Sequence, residues 1–139
     1  MQGKEIFAPF IGMMILTFVV WVFMYVRRIS FLHRNKVYTQ KLTTPERLAE
    51  IIPEQINYPS YNLKNLFELP VVFYALCLYL FVTASVDETF VIAAWTFLGL
   101  RILHSANHCT VNNVMLRFLA YMAAALALWF MVLRAALFL

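Results

Sequence analysis

Residues 62–84 read NLKNLFELPVVFYALCLYLFVTA, from Asn62 to Ala84. Past Lys64 and Glu68 the stretch stays apolar long enough to cross a bilayer, which takes about 20 mostly apolar residues. Three other runs match it. Ile6 to Val26 is closed by Arg27 and Arg28, Thr89 to about Cys109 follows an acidic turn at Asp87 and Glu88, and Val114 to Phe138 follows a turn marked by Thr110, Asn112 and Asn113. The expected spans are therefore about 6–26, 62–84, 89–109 and 114–138, in one domain covering residues 1–139. Short turns between long helices make antiparallel neighbours. The expected fold class is all-α, an integral-membrane up-down four-helix bundle.

Composition supports this reading. Of 139 residues, 63% are apolar and 13% charged, and the mean hydropathy is +0.76. A soluble domain is about 45–50% apolar and about 25% charged. Disorder is excluded, since it needs low hydrophobicity and high charge, and two cysteines make no disulfide framework. Cys77 and Cys109 read as packing residues. The net charge of +4 points to anionic lipid headgroups or a small anionic ligand, because no nucleic-acid-binding pattern is present.

Residues 27–61 form the one long polar connection. Thr44, Pro45 and the residues to Ile52 read as a short helix with Thr44 as its N-cap, stopped by Pro53, and Asn57, Pro59 and Ser60 read as a turn. Seven Lys or Arg residues lie between positions 27 and 64, and none between 85 and 88. Basic loops stay on the cytoplasmic side. The 27–61 loop is expected there, with both termini opposite, in a bacterial inner membrane or a eukaryotic ER-type membrane.

Ionisable residues inside spans are costly and mark sites. Glu68, Arg101, His104 and Arg117 all fall in the half of the bundle next to the basic loop. At about 100° per residue, Asn65 and Glu68 share one helix face, Arg101, His104, Ser105 and His108 another, and Arg117, Tyr121 and Ala124 a third. Pro70 frees the Leu66 carbonyl, which Arg101 or Asn65 could satisfy. Glu68 and Arg101 are expected to form a structural ion pair. His104 and His108 have a metal-compatible i, i+4 spacing but no acidic partner on their helix, so no metal is assigned. Arg117 and Tyr121 place two donors on one face. With Lys64, His104 and Arg27 or Arg28 they would surround a cavity suited to an anion, and donors focused in that way stabilise a thiolate.

The segment Asn65-Leu-Phe-Glu68-Leu-Pro70 followed by Val-Val-Phe-Tyr, with Arg101-Ile-Leu-His104 and Arg117 sixteen residues after Arg101, resembles the MAPEG family, the membrane-associated proteins in eicosanoid and glutathione metabolism. The resemblance covers the whole chain. It implies a homotrimer with glutathione, as co-substrate, bound between subunits. By position, Asn65, Glu68, Lys64, His104, Tyr121 and Arg27 or Arg28 would contact it, and Arg117 would stabilise its thiolate as the catalytic residue. Tyr61, His108 and Phe118 depart from the eicosanoid-forming members, and the second helix looks most like the bacterial branch. The implied function is a membrane-bound glutathione transferase or peroxidase acting on lipophilic electrophiles or lipid hydroperoxides. The alternative is a non-catalytic lipid-binding or scaffolding trimer. Implied partners are membrane lipid, glutathione and a lipophilic small molecule.

Overall fold

A computed structural model describes residues 3–139 and contains helices without strands among them. Helix α1 (Phe7–Arg34) is followed by a connection carrying the short α2 (Pro45–Ile51); then come α3 (Glu54–Asn65), α4 (Leu69–Val82), α5 (Glu88–Cys109) and α6 (Val114–Leu137). Four stretches are long and apolar enough to span a membrane: Lys4–Arg34, Glu54–Val82, Glu88–Cys109 and Val114–Leu137. The second is α3 and α4 run together, so the four-helix architecture stands.

Caps set several boundaries. Thr44 Oγ1 accepts from Arg47 N at 3.2 Å ahead of α2, Asp87 Oδ1 from Phe90 N at 2.9 Å ahead of α5, and Asn113 Oδ1 from Leu116 N at 3.1 Å ahead of α6. Each satisfies a backbone donor left open at a helix start. Two other boundaries differ from the sequence reading. Helix α1 continues past Val26 to Arg34, because hydropathy ends there but helix-compatible residues do not. The turn expected at Asn57, Pro59 and Ser60 is helical. Proline's fixed φ suits a helix and costs one hydrogen bond, here at the carbonyl of exposed Gln55, while Asn57 is held by Arg28.

Helix α5 packs broadly against α6 and also meets α1 and α3. Nine of its buried positions, Phe90, Ala93, Ala94, Phe97, Leu98, Arg101, His104, Ser105 and His108, make one inward stripe at helical spacing. Phe97 stacks on Phe73 of α4 with ring centroids 4.7 Å apart. Buried alanines 120, 124, 125 and 135 of α6 let the backbones approach closely. Gly12 of α1 does the same, since a Cβ there would lie 2.5 Å from Leu98 Cδ2.

At the end of the bundle near the chain termini, Arg134 Nη1 meets Asp87 Oδ2 at 2.8 Å. Its guanidinium also lies over Phe90, 4.5 Å from the ring centroid. Desolvation pushes the Asp87 carboxyl up, but the Phe90 N–H, Arg134 and the Thr89 N–H outweigh it and hold it below the usual carboxylate range. A folded-state value below the unfolded one, about 3.9, gives stability that is present above that value and lost as pH falls through the folded value. Asp87→Ala is therefore expected to cost about 1 kcal/mol near neutral pH. In thermal unfolding in detergent, its difference from wild type should shrink below about pH 4. A difference that stays constant into stronger acid would contradict this assignment.

Candidate functional site

The α3–α4 junction shapes the site. Pro70 has no N–H to give the Leu66 carbonyl, and residues 66–68 leave the α-helix. Tighter i to i+3 bonds take over, from Phe67 N to Lys64 O at 3.0 Å and from Glu68 N to Asn65 O at 3.3 Å. Arg101, fully buried, donates from Nη2 to the Asn65 carbonyl at 3.2 Å. Of the two donors expected for the freed Leu66 carbonyl, Arg101 and Asn65, Arg101 is the one at the junction, but the carbonyl it reaches is that of Asn65, one residue earlier. The expected Glu68–Arg101 ion pair is absent: among the described residues the one ion pair is Asp87–Arg134. Glu68 is exposed, and Arg101 instead lies over the Tyr121 ring, 5.7 Å from its centroid.

Beside this junction is a cavity of about 760 Å³ lined by Glu54, Tyr61, Asn65, Glu68, His104, His108, Asn112, Val114, Arg117, Phe118 and Tyr121. It unites five expected residues: Asn65 and Glu68 at the break, His104 on α5, and Arg117 and Tyr121 on α6. Helical spacing explains the set, because residues 54, 61, 65 and 68 follow one line along α3 and the break. The His104 and His108 rings stand edge to face at 5.5 Å, and His104 is 5.9 Å from the Tyr121 ring. Both imidazoles are buried, and neither Nδ1 has a hydrogen-bond partner among the described residues. No cluster of three metal-ligating side chains forms around them or elsewhere among those residues.

Other expected contacts fall elsewhere. Lys64 and Arg28 line a separate cavity of about 410 Å³. Arg27 lines neither; its Nη1 donates to the Cys109 carbonyl at 3.5 Å. Sequence reasoning missed Asn112, which it read only as a turn residue. Asn112 has φ 51°, left-handed backbone that Asn tolerates, and its Oδ1 accepts from Arg117 Nη1 at 2.6 Å. The turn is braced by buried Asn107, whose Nδ2 donates to Asn113 O at 2.9 Å and whose Oδ1 accepts from Asn113 N at 3.2 Å. The one available signal was an Asn-rich turn five residues before a span arginine. Glu54 and Val114, also on the cavity wall, carried none.

Chemically, the cavity presents a permanent cation held by a neutral acceptor, two imidazoles, two phenols, two carboxylates and the apolar side chains Val114 and Phe118. It suits a zwitterionic or anionic molecule with an apolar co-ligand alongside. In comparison with known families, the model of the MAPEG family matches residues 6–137. No curated protein and no solved structure gives a match.

The contacts around Arg101 predict a contrast. Arg101→Leu should cost about 1.5–3 kcal/mol, the scale of a charged hydrogen bond, because the junction loses its charged donor and the Asn65 carbonyl keeps only the Glu68 N–H at 3.3 Å. Glu68→Gln should change stability by less than about 0.5 kcal/mol. Unfolding of both variants in detergent checks this, and equal losses would restore the ion pair.

Proposed function

The chain belongs to the MAPEG family, and on that premise we propose that it is a membrane-bound glutathione transferase or peroxidase. The observation that carries this reading is the Arg117 guanidinium in the 760 Å³ cavity, fixed by the uncharged Asn112 at 2.6 Å. A carboxylate partner would cancel its charge; an amide oxygen orients it and leaves the charge for a ligand.

Glutathione enters from the side of the basic connection, which faces the cytoplasm. Its thiol settles near Arg117, which stabilises the thiolate as the proton leaves to water. The Tyr121 hydroxyl and His104 supply neighbouring donors. Exposed Glu68, with the Asn65 side chain, takes the cationic amino end of the tripeptide. A lipophilic electrophile reaches the sulfur from the bilayer past Val114 and Phe118. In conjugation, sulfur bonds to the electrophilic carbon and the leaving group departs with its electron pair. With a hydroperoxide, sulfur attacks the terminal oxygen, the O–O bond breaks, and the departing alkoxide takes a proton from water to leave as the alcohol. A second glutathione then converts the sulfenic acid to the disulfide, releasing water. The functional unit is a homotrimer in which a neighbouring subunit closes the open side of each cavity.

Arg117→Ala is expected to lower kcat/KM for glutathione with a generic electrophile by about 10²–10³, the scale of removing one charge-stabilising donor. Asn112→Gly keeps the left-handed turn while removing Oδ1. It should reduce the same parameter by about tenfold with little change in unfolding temperature. If purified wild type shows neither a thermal shift with glutathione nor conjugation, the reading is wrong. A stoichiometric co-purifying lipid without thiol binding would then favour the non-catalytic trimer.

A further inference from the structure

Helix α3 divides the cations that a linear reading would gather. Positions 57, 60, 61 and 64 form an i, i+3, i+4, i+7 face that lines the second cavity, of about 410 Å³, beneath the α1–α3 connection. Tyr61 lines both cavities and stands between them. The second cavity holds Arg28 from α1, Thr43 from the connection, and Asn57, Ser60, Tyr61 and Lys64 from α3, with no carboxylate in its lining. Its volume is within the range of about 300–1,000 Å³ typical of small-molecule sites.

From this we infer that the second cavity is a phosphate-binding site, occupied by the phosphodiester of an anionic lipid headgroup. Arg28 Nη2 donates to Asn57 Oδ1 at 3.4 Å, which sets the guanidinium with a neutral partner. Its Nε is buried with no partner among the described residues. Neither Arg28 nor Lys64 belongs to an ion pair among those residues. An arginine fork suits two phosphate oxygens, and lysine adds a point charge. The hydroxyls of Thr43, Ser60 and Tyr61 supply further donors. Arg28 lies two residues beyond Val26, where the first apolar run ends, and so at headgroup depth. A basic pocket at that depth favours an anionic headgroup over a zwitterionic one, whose own ammonium offsets its phosphate.

The test is native mass spectrometry of the full-length protein in detergent, titrated with phosphatidylglycerol and with phosphatidylcholine. Wild type should hold phosphatidylglycerol at least about fivefold more tightly. Lys64→Gln and Arg28→Gln should each lose about five- to tenfold of that affinity, and Lys64→Arg should keep it. Lys64 is exposed, so its two variants decide the matter even if Arg28→Gln fails to fold. Displacement of the lipid by inorganic phosphate would show that free phosphate also reaches the site; no displacement would show that the lipid alone does. Unchanged affinity in Lys64→Gln, equal binding of the two lipids, or release of phosphatidylglycerol by glutathione would overturn the proposal. Release by glutathione would return both cations to the thiol cavity. Absence of conjugating activity in a wild type that still binds phosphatidylglycerol would count against the proposed activity alone.

Discussion

A backbone carbonyl inside a bilayer has no water to satisfy it, and Pro70 brings that constraint to the centre of this fold. A continuous second helix would need a Pro70 N–H for Leu66. The chain opens at residues 66–68 instead, and Arg101 Nη2 caps the Asn65 carbonyl at 3.2 Å. That one contact ties α5 to the junction and gives a fully buried guanidinium an acceptor. It also leaves Glu68 unpaired at the edge of a cavity. An arginine at this depth would be costly without an acceptor, and the Asn65 carbonyl, which also takes the Glu68 N–H at 3.3 Å, supplies one to Nη2.

The same logic runs along α5. Its inward stripe is Phe90, Ala93, Ala94, Phe97 and Leu98 over the first half, then Arg101, His104, Ser105 and His108 over the second. The stripe does not rotate; its chemistry changes where the α3–α4 break faces it. Apolar packing in one half fixes the helix rotation, and that rotation aims the polar half. Buried Asn62, fully hidden, extends the polar zone by accepting from Ser105 Oγ at 3.3 Å and donating to Cys109 Sγ at 3.5 Å.

The four spans were legible because hydropathy over about 20 residues is a strong signal. Their ends were less so: α1 outruns its apolar segment, and Pro59 sits within a helix that tertiary contacts sustain. Asn65, Glu68, His104, Arg117 and Tyr121 could be grouped from the sequence because each lies on a face fixed by a 100° step, and the structure brings them to one cavity. Lys64 lines the other cavity for the same geometric reason. It adjoins Asn65 in sequence but points about 100° away, onto the face of Asn57 and Ser60. Asn112 was hidden because its value depends on where a turn carries its side chain, and periodicity does not report that.

The two ends of the bundle treat arginine differently. Arg134 meets a carboxylate at 2.8 Å and lies against Phe90 and Phe138, so its charge is balanced and partly covered. Arg117 meets only an amide oxygen, at 2.6 Å. Both side chains are half-buried, and both are oriented by a partner. The partner's charge separates a structural arginine from one that still attracts an anion. Arg28, held by the Asn57 amide at 3.4 Å, follows the Arg117 pattern. The basic end therefore keeps Arg28 and Arg117, each oriented by an uncharged amide and lining a cavity on either side of Tyr61, whereas Arg134 at the acidic end is paired with a carboxylate. That asymmetry is why both proposed binding sites lie at the end of the basic connection.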